Sequence, residues 1–489
     1  MIKIQLSLTI LSLLFVFGCS KKSSESITIS NKNYNHWYQV PTGKPVSLVF
    51  ASYKTTMIAN GEDEALLRIS AVDSTGMEIM DAMLPFEISV KGDATILEID
   101  HTAPDIVSKT DSLVIWRSQL SNGIKELLLK SGTSIDRINV EVKTDSLRPA
   151  SHEIHTISGN TELLKPKVSQ IKPSPKIENE MIGADISFLP QLESRGMKFY
   201  DNGIENDAIE ILKNHGFNYI RLRIFVNPEN EKGYAPDKGF CGLDSTLKMA
   251  SRVKEAGLNL LLDFHYSDTW ADPQKQYKPK AWEGLAFEEL ASTLKNYTKS
   301  VLLQMKEQGT MPDMVQIGNE INHGIVWPEG HISNLDNLAE LLKAGAQAVR
   351  EVDPSTIVMM HLALGGQNEE SVFWFDNMIA RGVEFDIIGL SYYPQWHCTL
   401  DDLNNNMLDM IKRYQKDVNI VEYSAFKREV HDLVFNLPEN RGNGTCIWEP
   451  LNTWSRIFDR QGNSLKEINI YDEMHTKYLN QGLNKKLNK

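Results

Sequence analysis

Leu258-Asn259-Leu260-Leu261-Leu262-Asp263-Phe264-His265 is a short apolar run that ends in a carboxylate and an imidazole. It reads as a buried strand whose C-terminal end carries functional groups. Runs of the same kind recur at residues 183–187, 219–225, 314–317, 357–362, 387–390, 420–421 and 445–448. Helical patterns lie between most of them, for example at 247–256, 335–349 and 400–414. In the second of these, Leu338, Leu341, Leu342 and Ala346 share one side, the spacing of a core-facing stripe. Eight strands with intervening helices over about 300 residues predict a (β/α)8 barrel, an α/β fold. A doubly wound sheet is the alternative, but no glycine-rich phosphate loop follows the first strand.

Upstream, the texture is different. Phe86, Ile88 and Val90 alternate along one run, as do Ile138, Val140 and Val142 along another. Turn signals interrupt at short intervals, among them Asn60-Gly61, Lys91-Gly92-Asp93 and Ser121-Asn122-Gly123. This pattern predicts an all-β sandwich of immunoglobulin type over 26–160. A polar stretch with Pro166, Pro173 and Pro175 then reads as a semi-rigid linker over 161–178. The barrel follows over 179–485.

The N-terminus has Lys3, an apolar run from Leu6 to Phe17, and then Gly18-Cys19-Ser20. This is an export signal, too short for a comfortable membrane span. Residues 1–18 resemble the signal peptide of bacterial lipoproteins, with Cys19 as the residue that is lipidated. The expected location is outside the cytoplasm, anchored to a membrane at the outer membrane or cell surface. Three later cysteines, Cys241, Cys398 and Cys446, leave at least one without a disulfide partner.

The chain has 489 residues, 41% hydrophobic and 24% charged, with a net charge of −13. That is ordinary globular composition. The negative balance disfavours nucleic acid as a partner, and a monomer acting on a neutral polymer is expected.

In a (β/α)8 barrel, catalytic groups cluster at the C-terminal ends of the strands. Those ends offer Arg221 and Arg223, Asp263 and His265, Asn319 and Glu320, His361, Tyr392 and Tyr393, Glu422, and finally Trp448 and Glu449. Carboxylates, aromatics, Asn and His suit a neutral polyhydroxylated substrate. Glu320 and Glu422 end the fourth and seventh strands, which face each other across the barrel mouth. Glycoside cleavage needs two such carboxyls, one protonated and one ionised.

Longer stretches resemble glycoside hydrolase family 53, the arabinogalactan endo-β-1,4-galactanases, within the clan A retaining glycosidases. They are Gly183-Ala184-Asp185-Ile186-Ser187, Tyr219-Ile220-Arg221-Leu222-Arg223, Leu262-Asp263-Phe264-His265-Tyr266-Ser267-Asp268-Thr269-Trp270, Gln316-Ile317-Gly318-Asn319-Glu320, Gly389-Leu390-Ser391-Tyr392-Tyr393-Pro394 and Trp448-Glu449-Pro450. The resemblance covers about residues 181 to 480 in order. It implies Glu320 as acid/base, Glu422 as nucleophile and Asn319 as a bond to the sugar 2-hydroxyl. It also implies Arg221 as the cation that keeps Glu422 ionised, Tyr393 as a donor to Glu422 and Trp448 as the sugar platform. His265, Asp268, Trp270, His361 and Trp396 are implied as substrate contacts. No cofactor is implied. Some relatives bind structural calcium in longer loops near the eighth strand, where this chain has no acidic cluster.

The stretch from Ala59 to Gly76 looks like the immunoglobulin-like modules attached to many secreted glycosidases. No cluster of aromatics marks a sugar platform there, so a spacer is expected. The expected activity is endo-acting, retaining hydrolysis of β-1,4-galactan. A clan A β-glycosidase with another sugar preference is the nearest rival. A glycan-binding protein on a retired barrel would have no need for both Glu320 and Glu422.

Overall fold

The computed structural model describes residues 43–479, apart from residue 75 and residues 111–112, 178–179 and 452–454. The expected export signal and Cys19 lie outside the described residues.

Ten strands form the N-terminal unit: β1 (Ser47–Ser52), β2 (Thr56–Ala59), β3 (Glu64–Val72), β4 (Pro85–Lys91), β5 (Ala94–Leu97), β6 (Asp105–Lys109), β7 (Leu113–Gln119), β8 (Ile124–Ser131), β9 (Arg137–Lys143) and β10 (Ala150–Ser158). They make two sheets, β1-β3-β8-β5 and β2-β10-β9-β4-β7-β6. Because successive side chains of a strand face opposite sides, one face of each sheet can be wholly apolar. Leu67, Ile69 and Leu129 of the first sheet meet Ile88, Trp116 and Val140 of the second in one core. β10 pairs with β9 along its first residues, but β2 joins its other edge only from His155 onward. Among the described residues, β2 leaves residues 150–154 unpaired on that side, where β1 approaches through a bridge between Ser47 and Arg148.

The proline-bearing stretch that follows is fastened to the second unit. The Leu164 amide donates to Asn377 Oδ1 (2.9 Å), Gln170 Nε2 donates to the Ala380 carbonyl (2.9 Å), and the Asp417 amide donates to Ser174 Oγ (2.7 Å).

The barrel closes in the order β11 (Met181–Asp185), β12 (Tyr219–Ile224), β13 (Asn259–Phe264), β14 (Met314–Ile317), β15 (Ile357–Leu362), β16 (Ile387–Tyr392), β17 (Asp417–Tyr423) and β18 (Gly442–Trp448). All its ladders are parallel, and β18 returns to β11 from Met181–Gly444 to Asp185–Trp448. Helices α1 (Ala208–Asn214), α2 (Leu243–Glu255), α3 (Phe287–Gln308), α4 (Leu335–Val352), α5 (Asn368–Ala380), α6 (Leu400–Tyr414), α7 (Lys427–Phe435) and α8 (Asn469–Met474) surround it. Leu338, Leu341 and Leu342 of α4 are buried against the strands, with the Asn334 side chain capping the helix by accepting from the Asn337 amide.

The period of two along each strand also builds the interior. Met181, Tyr219, Leu261, Met314, Met359, Ile387, Val421 and Cys446, one from every strand, pack into an apolar floor. Two residues further along β12–β15, the same face carries Arg221, Asp263, Gln316 and His361. The barrel is thus filled below and polar above, which places the chemistry at the C-terminal mouth. Cys241, Cys398 and Cys446 are all buried free thiols.

Candidate active site

Each strand leaves the barrel by a sharp turn, and several of these turns are strained. Glu320 adopts φ 49°, a left-handed conformation uncommon for a residue with a side chain. Gly318 makes the turn possible: its φ is +80°, and an added Cβ would lie 2.5 Å from Ile321 Cγ2. Gln276 secures the turn by donating from Nε2 to the Asn319 carbonyl (2.8 Å). A register shift between Leu390 and Ser391 in the β16–β17 ladder is a second local irregularity beside the site.

Arg221 organises the polar layer. Its Nη1 donates to Glu422 Oε1 (2.8 Å) and Asp185 Oδ2 (3.0 Å). Its Nη2 donates to Asp263 Oδ2 (2.9 Å), Asn319 Oδ1 (2.8 Å) and Gln316 Oε1 (3.2 Å). A guanidinium presents fixed donors in a plane, so this one cation sets the positions of both Asn319 and Glu422. Tyr393 donates its hydroxyl to Glu422 Oε2 (2.9 Å). Burial and the two nearby glutamates hold that phenol well above its usual range, so it stays a neutral donor.

Glu320 is placed differently. Its Oε1 accepts from Ser391 Oγ (2.7 Å), and the hydroxyl is in turn bonded to His361 Nε2 (2.8 Å). Burial, and then the Glu422 charge, raise the Glu320 pKa well above the usual carboxylate range. Burial raises Glu422 as well, but the Arg221 guanidinium opposes it. Among the described residues, no cation is bonded directly to Glu320. The proton of this coupled pair therefore rests on Glu320, and Glu422 carries the charge.

A cavity of about 440 Å³ opens above the pair. Glu320, Glu422, Asn319 and Arg221 line it, with His265, Trp270, Tyr393, Trp396 and Trp448 around them. The Trp270 and Trp448 rings are 6.2 Å apart, and the Arg223 guanidinium lies 4.3 Å from the Trp270 ring centre. Arg223 is itself held by Glu449 at 2.5 Å. His265 Nε2 donates to Asp263 Oδ2 (3.0 Å), while its Nδ1 accepts from the Ala271 amide (3.1 Å).

Two expected substrate contacts do not reach the cavity. The Asp268 carboxylate is occupied by the amides of Asn227 (2.9 Å) and Lys280 (2.8 Å) and by Asn230 Nδ2 (2.6 Å), so it ties loops together. His361 is fully enclosed, and its Nδ1 lies 3.1 Å from Asn319 Oδ1. It supports Asn319 and Ser391 from below.

The sequence reading also missed residues. Asp185, Gln316 and Ser391 shape the pair; only Gln316, a lone amide in an apolar strand, carries a signal of its own. Thr55, Ser151, His152 and Glu153 of the N-terminal unit, expected to be a spacer, border the cavity. Among the described residues, no group of three or more His, Cys, Asp or Glu side chains is placed to hold a metal ion.

A (β/α)8 barrel with two carboxylates at its mouth, one bonded to a guanidinium and the other to a hydroxyl, flanked by indole rings, is the arrangement of a glycoside hydrolase. The family model of glycosyl hydrolase family 53 matches residues 181–433. The chain belongs to that family. It is 45% identical over 277 residues to a Niallia circulans protein described only as uncharacterized, covering 54% of this chain and 74% of that one. It is 39% identical over 249 residues to arabinogalactan endo-beta-1,4-galactanase A of Aspergillus niger, covering 49% and 69%. The solved catalytic domain of a family 53 enzyme from Ignisphaera aggregans matches 62% of this chain and 98% of its own length, with 32% identity and a TM-score of 0.57.

Proposed function

We propose that the protein hydrolyses internal β-1,4-galactosidic bonds of galactan or type I arabinogalactan with retention of configuration. The observation that carries the mechanism is the asymmetry of the carboxylate pair: Glu422 has the Arg221 cation at 2.8 Å, and Glu320 has only a neutral hydroxyl. The galactan preference is supported by the family and its named galactanases.

Glu422 attacks the anomeric carbon while Glu320 gives its proton to the departing glycosidic oxygen. This yields a galactosyl ester on Glu422 and a shortened chain with a free hydroxyl. Esterification removes the Glu422 charge, one of the causes that raised Glu320, so Glu320 is now better able to remain ionised. It accepts a proton from water, which attacks the same carbon and releases Glu422. Two inversions give net retention, with water as the only co-reactant. Asn319 donates one Nδ2 hydrogen to the Ala271 carbonyl (2.9 Å), which leaves the other for the sugar 2-hydroxyl. Trp448 offers its ring face to the sugar in the cleavage subsite.

Purified β-1,4-galactan distinguishes the outcomes. Wild type should release mixed galacto-oligosaccharides early, Glu422→Ala none, and Glu320→Gln should lose about 10²- to 10⁴-fold in kcat. Galactose as the sole product would remove the endo assignment. Proton NMR of the first product should show the β-anomer, and an initial α-anomer would overturn retention.

We further propose that export ends in lipidation of Cys19, supported by the apolar run from Leu6 and the Gly18-Cys19 junction. Labelled fatty acid should enter wild type and not Cys19→Ser, and an unlabelled wild type would defeat this.

A further inference from the structure

The N-terminal all-β unit is built into the mouth of the barrel. The Thr55 amide donates to Glu370 Oε2 (2.5 Å), and Thr55 Oγ1 lies 3.0 Å from His323 Nε2, three residues past Glu320. The edge of β10 that β2 leaves unpaired then brings Ser151, His152 and Glu153 to the wall of the cavity that holds both glutamates, with Glu153 Oε1 also accepting from Arg137 (3.0 Å). His152 packs edge-on against Phe50, with ring centres 5.3 Å apart, and its enclosed Nε2 has no hydrogen-bond partner. The ring is also bonded to the Phe50 backbone, which fixes the residue where it borders the cavity. Trp396, 38% exposed, lines the same cavity, its ring centre 5.8 Å from that of Tyr393. Gln367 Nε2 donates both to the Trp396 carbonyl (2.7 Å) and to the Ser52 carbonyl (3.3 Å), so the backbone that carries this indole is tied to the N-terminal unit.

The direction of the cleft follows from the chemistry. A general acid stands beside the oxygen that it protonates, and Glu320 ends β14, whose following loop is the one Thr55 contacts. Trp448 and Trp270 lie toward β18 and β13. The departing chain therefore runs from Glu320 toward the N-terminal unit.

Resting on the galactan reading, we propose that the N-terminal unit forms the leaving-group end of the cleft. Trp396 stacks on the galactosyl unit beyond the scissile bond, and Ser151, His152 and Glu153 bond to hydroxyls of the units after it. Apolar sugar faces meet the indole, and neutral hydroxyls meet the polar strand edge.

The test is the cleavage pattern on β-1,4-galactohexaose labelled with heavy oxygen at its reducing end, for wild type, His152→Ala and Trp396→Ala, with thermal unfolding to establish that each variant folds. In His152→Ala, the share of cuts that leave three or more units on the departing side should fall about threefold to tenfold. In Trp396→Ala, kcat/KM should fall most for bonds with a short departing chain. An unchanged pattern in active variants overturns the proposal. A rate lost equally at every bond, with the pattern kept, also overturns it, because that is a structural role. A wild type that cuts no galactan fails the galactan reading itself.

Discussion

Ser391 shows how one neutral side chain can set a working pH. Its hydroxyl donates to Glu320 Oε1 and so favours the ionised form of the acid. Removing it in Ser391→Ala raises the Glu320 pKa further. The first step needs Glu320 protonated, so activity is lost as pH rises through that pKa. The alkaline limb of kcat/KM should therefore move to higher pH, and a limb that stays or moves down would refute this role. Glu320 and Glu422 were legible because each ends an apolar run inside a long ordered motif. Ser391 was quoted within a motif but given no role, since nothing in the chain says that β16 aims it at β14. Asp268 lies in a motif and His361 in an apolar run, yet both are consumed by neighbouring protein groups. Spacing reveals that a polar residue shares a face, and only packing reveals whether its atoms are already taken.

At the scale of elements, β10 and the β14–β15 loops meet through histidines. His155 stacks on His323 with ring centres 3.9 Å apart, and its Nδ1 lies 3.0 Å from His331 Nε2. Burial lowers His155 from 6.5 to about 3 and His331 to about 4. His152 and His397, close by, fall to about 4 and about 3. Arg137 adds to the depression of His155 and His331, while Glu153 lies 3.2 Å from His155 Nε2. Each unfolded imidazole takes up a proton near 6.5, and each folded one resists until far lower. Stability is therefore lost as pH falls from about 6.5 toward 4. At this contact Glu370, raised to about 7 by burial, works in the opposite sense, as one group against several histidines, and Glu320 does so in the barrel. The contact itself should therefore loosen between about pH 7 and about pH 5, with β10 and the Thr55 loop gaining hydrogen exchange. Unchanged exchange in these segments would contradict this account.

Over the whole molecule, the two units share apolar as well as polar contacts, for Ile157 of β10 packs into the barrel's hydrophobic core. Lys54 pairs with Glu369 (2.8 Å), Tyr53 donates to Asp402 Oδ2 (3.0 Å), and the Arg137 guanidinium lies 5.2 Å from the Trp327 ring centre. The 161–178 stretch adds its own bonds along the barrel. Calorimetry should therefore record one cooperative unfolding transition. Two separated transitions would mean that the units are energetically independent.

The chain by itself determined the alternation of both units, the eight barrel strands and the two glutamates. These depend on local periodicity and on motifs, which are properties of neighbours in sequence. Only the tertiary structure decided that Arg221 divides the labour between the glutamates, and that a strand edge more than 150 residues upstream of Glu320 borders their cavity. Both rest on contacts between distant segments, and such contacts form only when the complementary surfaces of the folded units come together.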